Sequence, residues 1–311
     1  MRKFYAADAH CDFLYYAATD NFDIRTRTKS QCMTLDRMKE GGVALQFFAA
    51  WTDTKEKRRS PLQQTLEMIA AYYKMLDENK DAFVPFSKEF MPESGKIATV
   101  LAIEDLSCME DNINNLDIFH RLGVRSITLT WNYKNGLACP STAKRDTGLT
   151  QLGRETVRRM EELNIAVDLA HLGDRGIDEV LSITSSPVFS SHTNARDLFY
   201  SPRSLKDEHI KEIAKRGGVV GVNFYNKQLT ANPTATISDI ADHICHVVKV
   251  GGLNCAAIGS DFDGMSIYPD DLKHSGHFPR LANELKLRGF SDDDIERIMY
   301  KNLAEYISRF V

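Results

Sequence analysis

Short apolar runs alternate with amphipathic stretches of helical length along the whole chain. This alternation is typical of βα units, in which each strand is followed by a helix that covers a parallel sheet. The chain has 311 residues, which suits an eight-stranded α/β barrel, typically about 250 residues plus insertions. We therefore predict one (β/α)8 TIM barrel domain over residues 1–311. The predicted strands are 4–9, 43–50, 97–103, 124–130, 165–170, 187–191, 217–224 and 255–260.

Amphipathic segments fill most of the gaps between these strands. The predicted helices are 62–79, 112–122, 150–163, 174–184, 205–216, 237–250, 279–288 and 291–309. Two long connections, 13–42 and 131–149, follow strands and are expected to lie over the mouth of the barrel, where long loops are commonly functional. An open doubly wound sheet is the rival topology. The first strand is not followed by the G-x-G-x-x-G pattern typical of dinucleotide-binding folds of that kind.

Composition excludes several classes of function. Hydrophobic residues make up 43% of the chain, charged residues 26%, and the net charge is −4. There is no basic stripe for nucleic acid, no apolar run of the roughly 20 residues that cross a bilayer, and no segment resembling a signal peptide. The six cysteines are scattered without a C-x-x-C pair. We predict reduced, buried thiols in a cytoplasmic protein that binds neither nucleic acid nor membrane.

Polar residues with metal-binding chemistry stand where the predicted strands end. The carboxyl ends of all barrel strands open onto one face, where the active sites of such barrels lie. Imidazoles and carboxylates that meet there would form a two-metal hydrolytic site. The candidate residues are His10, Asp12, Glu104, His171, His192 and Asp261.

Each candidate also has a structural alternative. His10 and Asp12 are two apart on an extended segment, so both side chains can reach one ion, but the pair can also cap a strand. Glu104 follows seven apolar residues, where a buried carboxylate needs a partner or a metal; the alternative is an acidic loop, with Asp105, at the start of a helix. His171 and His192 end consecutive predicted strands, 21 residues apart, which favours a functional pair.

Asp261 stands in the segment Gly259-Ser260-Asp261-Phe262-Asp263-Gly264. Asp263 is the alternative functional residue there, although Asp261 is nearer the strand end, and an acidic turn is the structural alternative. The remaining histidines favour helix surfaces or peripheral loops, and strand alternation turns Cys11 away from His10 and Asp12. These histidines are His120, His209, His243, His246, His274 and His277.

The ordered set of these segments resembles the renal (membrane) dipeptidase family of the amidohydrolase superfamily, in its soluble bacterial form. The resemblance runs nearly from end to end of the chain. Its segments are Asp8-Ala9-His10-Cys11-Asp12, Ala102-Ile103-Glu104, Asp168-Leu169-Ala170-His171, Phe189-Ser190-Ser191-His192 and Gly259-Ser260-Asp261-Phe262-Asp263-Gly264.

The resemblance implies a role for each candidate. His10 and Asp12 would bind one Zn²⁺, and His171 and His192 a second. Glu104 would bridge the two ions, and Asp261 would transfer protons. Together the five ligands would hold two Zn²⁺ per chain.

Three further residues are implied in substrate binding. Arg203 stands where the family places an arginine for the substrate's terminal carboxylate, a task that suits a bidentate guanidinium. Tyr225 stands near a tyrosine that contacts substrate. Trp131 replaces a histidine that polarises the scissile carbonyl in familiar members, and an indole donates one hydrogen bond but does not titrate.

We therefore predict a zinc-dependent dipeptidase that hydrolyses its substrate with a hydroxide held by two zinc ions. A second hypothesis keeps the site but changes the substrate to another small amide, a lactam or a lactone. A third, of a different class, is a non-catalytic barrel that binds a metal or ligand. It is disfavoured because every expected ligand position is filled by a competent residue. The family resemblance also implies a homodimer.

Overall fold

The computed structural model describes residues 4–311, and its strands form one parallel sheet. The strands are β1 Ala6–Asp8, β2 Val43–Trp51, β3 Phe83–Pro85, β4 Ile97–Glu104, β5 Val124–Thr128, β6 Ala166–Asp168, β7 Val220–Val222 and β8 Ala256–Ile258. The order across the sheet is β6-β5-β4-β2-β1-β8-β7, with β3 paired to the first residues of β4. The predicted α/β barrel is confirmed, and the pairing of β1 with β8 brings the first and last strands of the chain together.

The segment 187–191 completes the barrel between β6 and β7. The prediction of a full strand here is wrong, because the segment forms only the isolated bridges Asp168–Phe189 and Ser190–Val220. The sequence does not predict β3, since its three residues carry too short a pattern to stand out. The other predicted strands are present and mostly shorter than predicted, while β2 and β4 each extend one residue further.

Two glycines make room for the backbone of this irregular segment. A Cβ atom at Gly221 would stand 2.0 Å from the carbonyl oxygen of Ser191, and one at Gly259 would stand 1.7 Å from it. Neither separation is possible between real atoms. The absence of side chains at these positions therefore lets Ser191, and with it His192, pass between the ends of β7 and β8.

Helices cover the outside of the barrel. They are α1 Phe13–Thr19, α2 Leu35–Glu40, α3 Pro61–Glu78, α4 Asn114–Arg121, α5 Gln151–Glu162, α6 Asp174–Ile183, α7 Asp207–Lys215, α8 Asn226–Leu229, α9 Ile237–Gly251, α10 Phe278–Leu287, α11 Asp292–Glu296 and α12 Asn302–Ile307. The helix predicted over 291–309 is divided, because a π-helical turn, Arg297–Lys301, separates α11 from α12. Ser60 caps α3 and Ser291 caps α11, the latter in a capping box with Asp294.

The end of the chain closes the bottom of the barrel. Small residues such as Ala7, Ala98 and Ala257 lie in one core cluster with Phe189, Tyr306 and other residues of the last helical turns. The rings of Phe189 and Tyr306 are 4.8 Å apart between centroids. Because the narrow interior is filled from below by aromatic side chains, only the opposite, carboxyl-terminal mouth is left for a functional site.

Two sequence predictions about the chain's surroundings can be compared with the fold. All six cysteines are free; five are buried, whereas Cys245 is only half-buried. Within residues 4–311, no helix is both long and apolar enough to cross a membrane.

Replacing Gly259 by Ala should lower the free energy of unfolding by about 1–3 kcal/mol or more, because the methyl group meets a backbone carbonyl that cannot rotate away. Gly276→Ala is the control: the atoms nearest to its methyl would be the ends of the Glu40 and His274 side chains, at 2.9–3.0 Å, which can move away. We expect it to change stability by less than about 1 kcal/mol. Urea unfolding with an unchanged m-value measures both, and equal midpoints for the two variants would contradict the steric argument.

Candidate active site

A cavity of about 500 Å³ opens at the carboxyl-terminal end of the strands. Its lining includes side chains that directly follow or end five different elements: Asp12, Trp51, Glu104, His171 and Asp261. Residues of both long connections, 13–42 and 131–149, also line it. The mouth of the barrel is therefore where the sequence-predicted residues meet.

The five predicted ligands come together around one carboxylate. His10 Nε2 lies 3.5 Å from Glu104 Oε2. On the other side of the same carboxylate, Glu104 Oε1 lies 2.9 Å from His171 Nε2 and 3.5 Å from His192 Nε2. Asp12 Oδ2 is 3.4 Å from His10 Nε2. Glu104 thus has one oxygen toward the His10–Asp12 pair and one toward the His171–His192 pair.

The two imidazoles on the second side are held by hydrogen bonds from behind. His171 Nδ1 donates to Asn132 Oδ1 at 3.0 Å, and His192 Nδ1 lies 2.8 Å from the hydroxyl of Ser191. Their Nε2 atoms face each other at 3.0 Å. A partner on Nδ1 fixes the ring and leaves the Nε2 lone pair available as a ligand, as in most histidine metal sites.

The spacing of these atoms fits metal ions. Tetrahedral ligands at the zinc bond lengths of about 2.1 Å stand roughly 3.4 Å apart, close to the 2.9–3.5 Å measured around Glu104 and His10. Two overlapping groups could each hold an ion: His10 with Glu104 and His192, and His10 with Asp12 and Asp261. Among residues 4–311, His10 Nε2 and Asp12 Oδ1 are buried without any hydrogen-bond partner. A cation would satisfy both atoms.

Asp261 belongs to the second of these groups, although the sequence favours a role in proton transfer rather than binding. Its Oδ1 lies 4.0 Å from His10 Nε2, and its Oδ2 accepts a hydrogen bond from Asn223 Nδ2 at 3.0 Å. Burial raises the pKa of Asp261 to about 7; the neighbouring His10 opposes this rise, and the charges of Asp12 and Glu104 add to it. The carboxylate is therefore placed either to bind an ion or to exchange protons beside one.

Burial and charge set opposite protonation states around Glu104. Burial opposes a charge on Glu104, but the imidazoles around it, His10 above all, outweigh burial and hold the pKa of Glu104 well below its usual value. Burial lowers the pKa of His171 to about 4 and that of His192 well below normal. The pair is therefore neutral near pH 7, the form in which imidazole binds metals.

Two buried carboxylates that sequence reasoning does not single out hold the strand ends in place. Asp8 accepts from both the backbone N–H and the hydroxyl of Ser260, at 2.8 and 2.6 Å. Asp168 accepts from the Thr128 hydroxyl at 2.9 Å and from the Ser191 backbone N–H at 2.9 Å. Asp8 stands two residues before His10 and Asp168 three before His171, so each links a histidine-bearing segment to its neighbours in the barrel.

The backbone is strained where the site residues turn into the mouth. His171 and Asp261 have φ values of +66° and +62°, which residues other than glycine rarely adopt. Such conformations persist only where surrounding contacts enforce them, and they concentrate at functional sites. Close by, a Cβ at Gly264 would stand 2.1 Å from Asp12 Oδ2, which explains the glycine that follows the aspartates.

The three predicted substrate-binding residues all line the cavity. Arg203 is buried, donates from one terminal nitrogen to the carbonyl of His192 at 3.3 Å, and has an Nε without a partner among residues 4–311. Burial lowers its pKa to about 10, so the guanidinium stays charged at neutral pH. Tyr225 and Trp131 are half-buried. Arg203 is thus a buried cation in the described structure without a contacting carboxylate.

Both long connections are fastened at the mouth by aspartates. Asp263 accepts from the backbone N–H groups of Cys32 and Met33, at 2.6 and 3.2 Å. Asp105 accepts from the Asn135 amide at 2.9 Å and so holds the start of the 131–149 connection. Asp263, weighed above as an alternative to Asp261, therefore holds a loop, although it also lines the cavity.

The other histidines lie outside the cavity, as predicted, but two of them are not at the surface. His209 is buried and bonded to Asp178, and His243 is buried between the backbone of Ala195 and Leu229. The prediction of exposed or half-buried positions for these two is therefore wrong. Cys11 is buried, does not line the cavity, and donates its thiol to the carbonyl of Phe47.

Solved structures share this fold over the full chain. The dipeptidase AC, a metallopeptidase of family M19, matches with a TM-score of 0.91 at 24% identity, covering 99% of both chains. A metallopeptidase from Rhodobacter sphaeroides, liganded with a phosphinate mimic of the dipeptide L-Ala-D-Ala, matches with a TM-score of 0.91 at 22% identity, covering 100% of both chains. At these identities the likeness establishes the fold.

Sequence relatives carry the comparison beyond the fold. An uncharacterized dipeptidase of Schizosaccharomyces pombe is 30% identical over 95% of this chain and 78% of the relative. Human dipeptidase 3 is 28% identical over 97% of this chain, which spans only 64% of that protein. The sequence model of the membrane dipeptidase family, peptidase family M19, matches residues 1–308. With the match extending over nearly the whole sequence, the chain belongs to the membrane dipeptidase family of metallopeptidases.

Proposed function

We propose that this chain is a binuclear zinc dipeptidase, with residues 1–311 acting as one barrel domain. The observation that carries the proposal is the arrangement around Glu104, whose Oε2 lies 3.5 Å from His10 and whose Oε1 lies within 3.5 Å of both His171 and His192. Membership of a metallopeptidase family and the unpartnered atoms of His10 and Asp12 support the same conclusion.

The proposed ligands form two sets, one near each oxygen of the Glu104 carboxylate. His10 and Asp12 would hold one ion, His171 and His192 would hold the other, and Glu104 would be available to both. Ions bound there would lower the pKa of a water from 15.7 to about 7 and polarise the peptide carbonyl. The protein's part is to fix these side chains, which it does through Asn132 and Ser191 behind the two imidazoles.

Asp261 is the proposed acid and base. It stands beside His10 at the open side of the cluster and lines the cavity. In this role the carboxylate accepts a proton from the attacking water and returns it to the departing amine. Asn223 holds one of its oxygens, so the other is free to face the reacting atoms.

Arg203 is the proposed receptor for the substrate's terminal carboxylate. A buried guanidinium without a contacting carboxylate is costly, and an anionic ligand would compensate it through charge-assisted hydrogen bonds. Tyr225 and Trp131 line the same cavity and are proposed to contact the substrate. The Trp131 indole can donate one hydrogen bond but cannot exchange protons.

Arg203 also favours a dipeptidase over the alternative function, an amidohydrolase that acts on another small substrate. An amidohydrolase acting on a neutral amide, lactam or lactone would have no use for a buried cation in the cavity, whereas a free dipeptide always presents a carboxylate. A cytoplasmic location and a homodimer stay predictions.

Protein prepared without chelator should contain close to two zinc equivalents per chain, measured by elemental analysis. His171→Ala should lose at least one equivalent, because its Nε2 lies directly on Glu104. His246→Ala, whose imidazole bonds Asp207 outside the cavity, is the control and should retain both. One equivalent or none in the unmodified protein would rule out the two-metal proposal.

Asp261→Asn should keep both metals but lose about 10²- to 10⁴-fold in kcat, the usual contribution of a positioned acid or base. Asp270→Asn, an exposed aspartate of the same connection, is the control and should be unaffected. Metal content and kcat are measured on the same preparations. Loss of metal from the Asp261→Asn variant would reassign the residue as a ligand, and unchanged turnover would remove it from the reaction.

Arg203→Met should impair cleavage of free dipeptides about 10- to 150-fold, the equivalent of a charge-assisted hydrogen bond of roughly 1.5–3 kcal/mol. The C-terminal amides of the same dipeptides should be poor substrates already and change little. Arg203→Lys, which keeps the charge without the planar fork, should fall between the two proteins. Equal losses on acids and amides would favour a general amide hydrolase.

A further inference from the structure

Aromatic side chains cover one arc of the cavity mouth. Trp51 ends β2, Trp131 follows β5, and Tyr15 lies in α1 after β1. The ring centroids of Trp51 and Trp131 are 4.9 Å apart and those of Trp51 and Tyr15 are 5.1 Å apart, both in edge-to-face contact. All three rings are half-buried and line the cavity that holds Glu104. These three residues are called the aromatic wall below.

The aromatic wall reaches the reaction centre. The Trp131 ring lies 6.3 Å from the ring of His171 between centroids, and His171 Nε2 is 2.9 Å from Glu104. A group bound at the metal cluster would therefore stand within one side-chain length of the wall. All three rings are partly exposed and line the cavity, so aromatic surface is open to a bound group.

Arg203 lies across the mouth from the middle of the wall. Around the barrel the strand positions follow the order β1, β2, β4, β5, β6, segment 187–191, β7 and β8. Trp51 ends the second position, and the sixth, directly opposite, leads into the connection that carries Arg203. Tyr225 and Asp261 follow the seventh and eighth positions. Arg203 and Trp51, the middle ring of the wall, thus lie on opposite sides of the mouth.

We propose that the aromatic wall is the subsite for the side chain of the amine-side residue of the dipeptide, and that it selects aromatic or large apolar side chains. The inference rests on the proposed function, because a carboxylate held by Arg203 and a peptide carbonyl at the cluster direct the amine-side residue to the opposite arc. Aromatic faces bind rings through offset and edge contacts. A cavity of about 500 Å³ has room for such a dipeptide.

Three dipeptides of the same stereochemistry test which side chain meets the wall: Ala-Ala, Phe-Ala and Ala-Phe. For the zinc-loaded protein, kcat/KM for Phe-Ala should exceed that for Ala-Ala by roughly 10- to 50-fold, from burial of the ring. Ala-Phe should show no comparable gain. In Trp131→Ala the ratio of Phe-Ala to Ala-Ala should fall toward one, whereas Trp131→Phe should retain most of it. Tyr200→Ala, an exposed tyrosine outside the cavity, is the control and should leave the ratio unchanged.

Fluorescence gives a readout that does not depend on turnover. The chain has two tryptophans, Trp51 and Trp131, and both belong to the wall. A phosphinate analogue of Phe-Ala should change the intrinsic tryptophan emission and bind at least about tenfold more tightly than the analogue of Ala-Ala. In Trp131→Ala, which keeps Trp51 as a reporter, this difference should disappear.

The outcomes separate the two proposals. Cleavage of Ala-Ala without a preference for Phe-Ala, or with the preference at the carboxyl-side position, overturns the subsite and leaves the dipeptidase function intact. Cleavage of no dipeptide overturns the proposed function. In that case tighter, wall-dependent binding of the Phe-Ala analogue would still support the subsite, and equal binding of both analogues would overturn it too.

Discussion

The carboxylate of Glu104 is the centre on which the rest of the site depends. It is buried at the end of the apolar strand β4 and lies within 3.5 Å of three imidazoles. A carboxylate in such a place is costly unless charges or ions compensate it. Other strand positions supply that compensation: the chain turns inward after β1, after β6 and after segment 187–191, so that the imidazoles of His10, His171 and His192 each reach one of the two oxygens. The fold therefore keeps Glu104 as a buried carboxylate at the centre of the ligand cluster.

Holding these strand ends in place requires a second set of contacts beneath the first. Asp8 and Asp168 bind backbone or hydroxyl donors of neighbouring strands, and Gly221 and Gly259 leave space for the backbone that leads to His192. These features explain why the barrel is regular around β2 and β4 but reduced to isolated bridges at 187–191. Regular pairing is lost where the chain must place an imidazole rather than continue a strand.

The sequence predicts those parts of the site that are marked by a pattern among residues close together in the chain. A polar residue after an apolar run indicates a strand end, and several such residues of ligand chemistry indicate a shared mouth. The aromatic wall lacks such a signal, because Trp51 ends an apolar strand in which an aromatic residue is unremarkable. The hydrogen bond between Asn132 and His171 cannot be predicted from the sequence either, since 39 residues separate the two partners. The regularity of 187–191 is overestimated from the sequence because its apolar pattern does not reveal the backbone contact with Gly259.

The charged residues that line the cavity favour one orientation of a bound dipeptide. Carboxylates dominate it, with Asp12, Asp261 and Asp263 all in the lining, while Arg203 is the buried cation across from the aromatic wall. A free dipeptide carries a positive amine at one end and a negative carboxylate at the other. Arg203 attracts the carboxylate and so leaves the amine-side residue on the side of the wall. Because a reversed substrate would place its amine against a buried guanidinium, charge alone disfavours that orientation before any side chain is recognised. The aromatic wall then acts on a substrate whose ends are already assigned, which is why its preference should concern one side chain of the dipeptide and not the other.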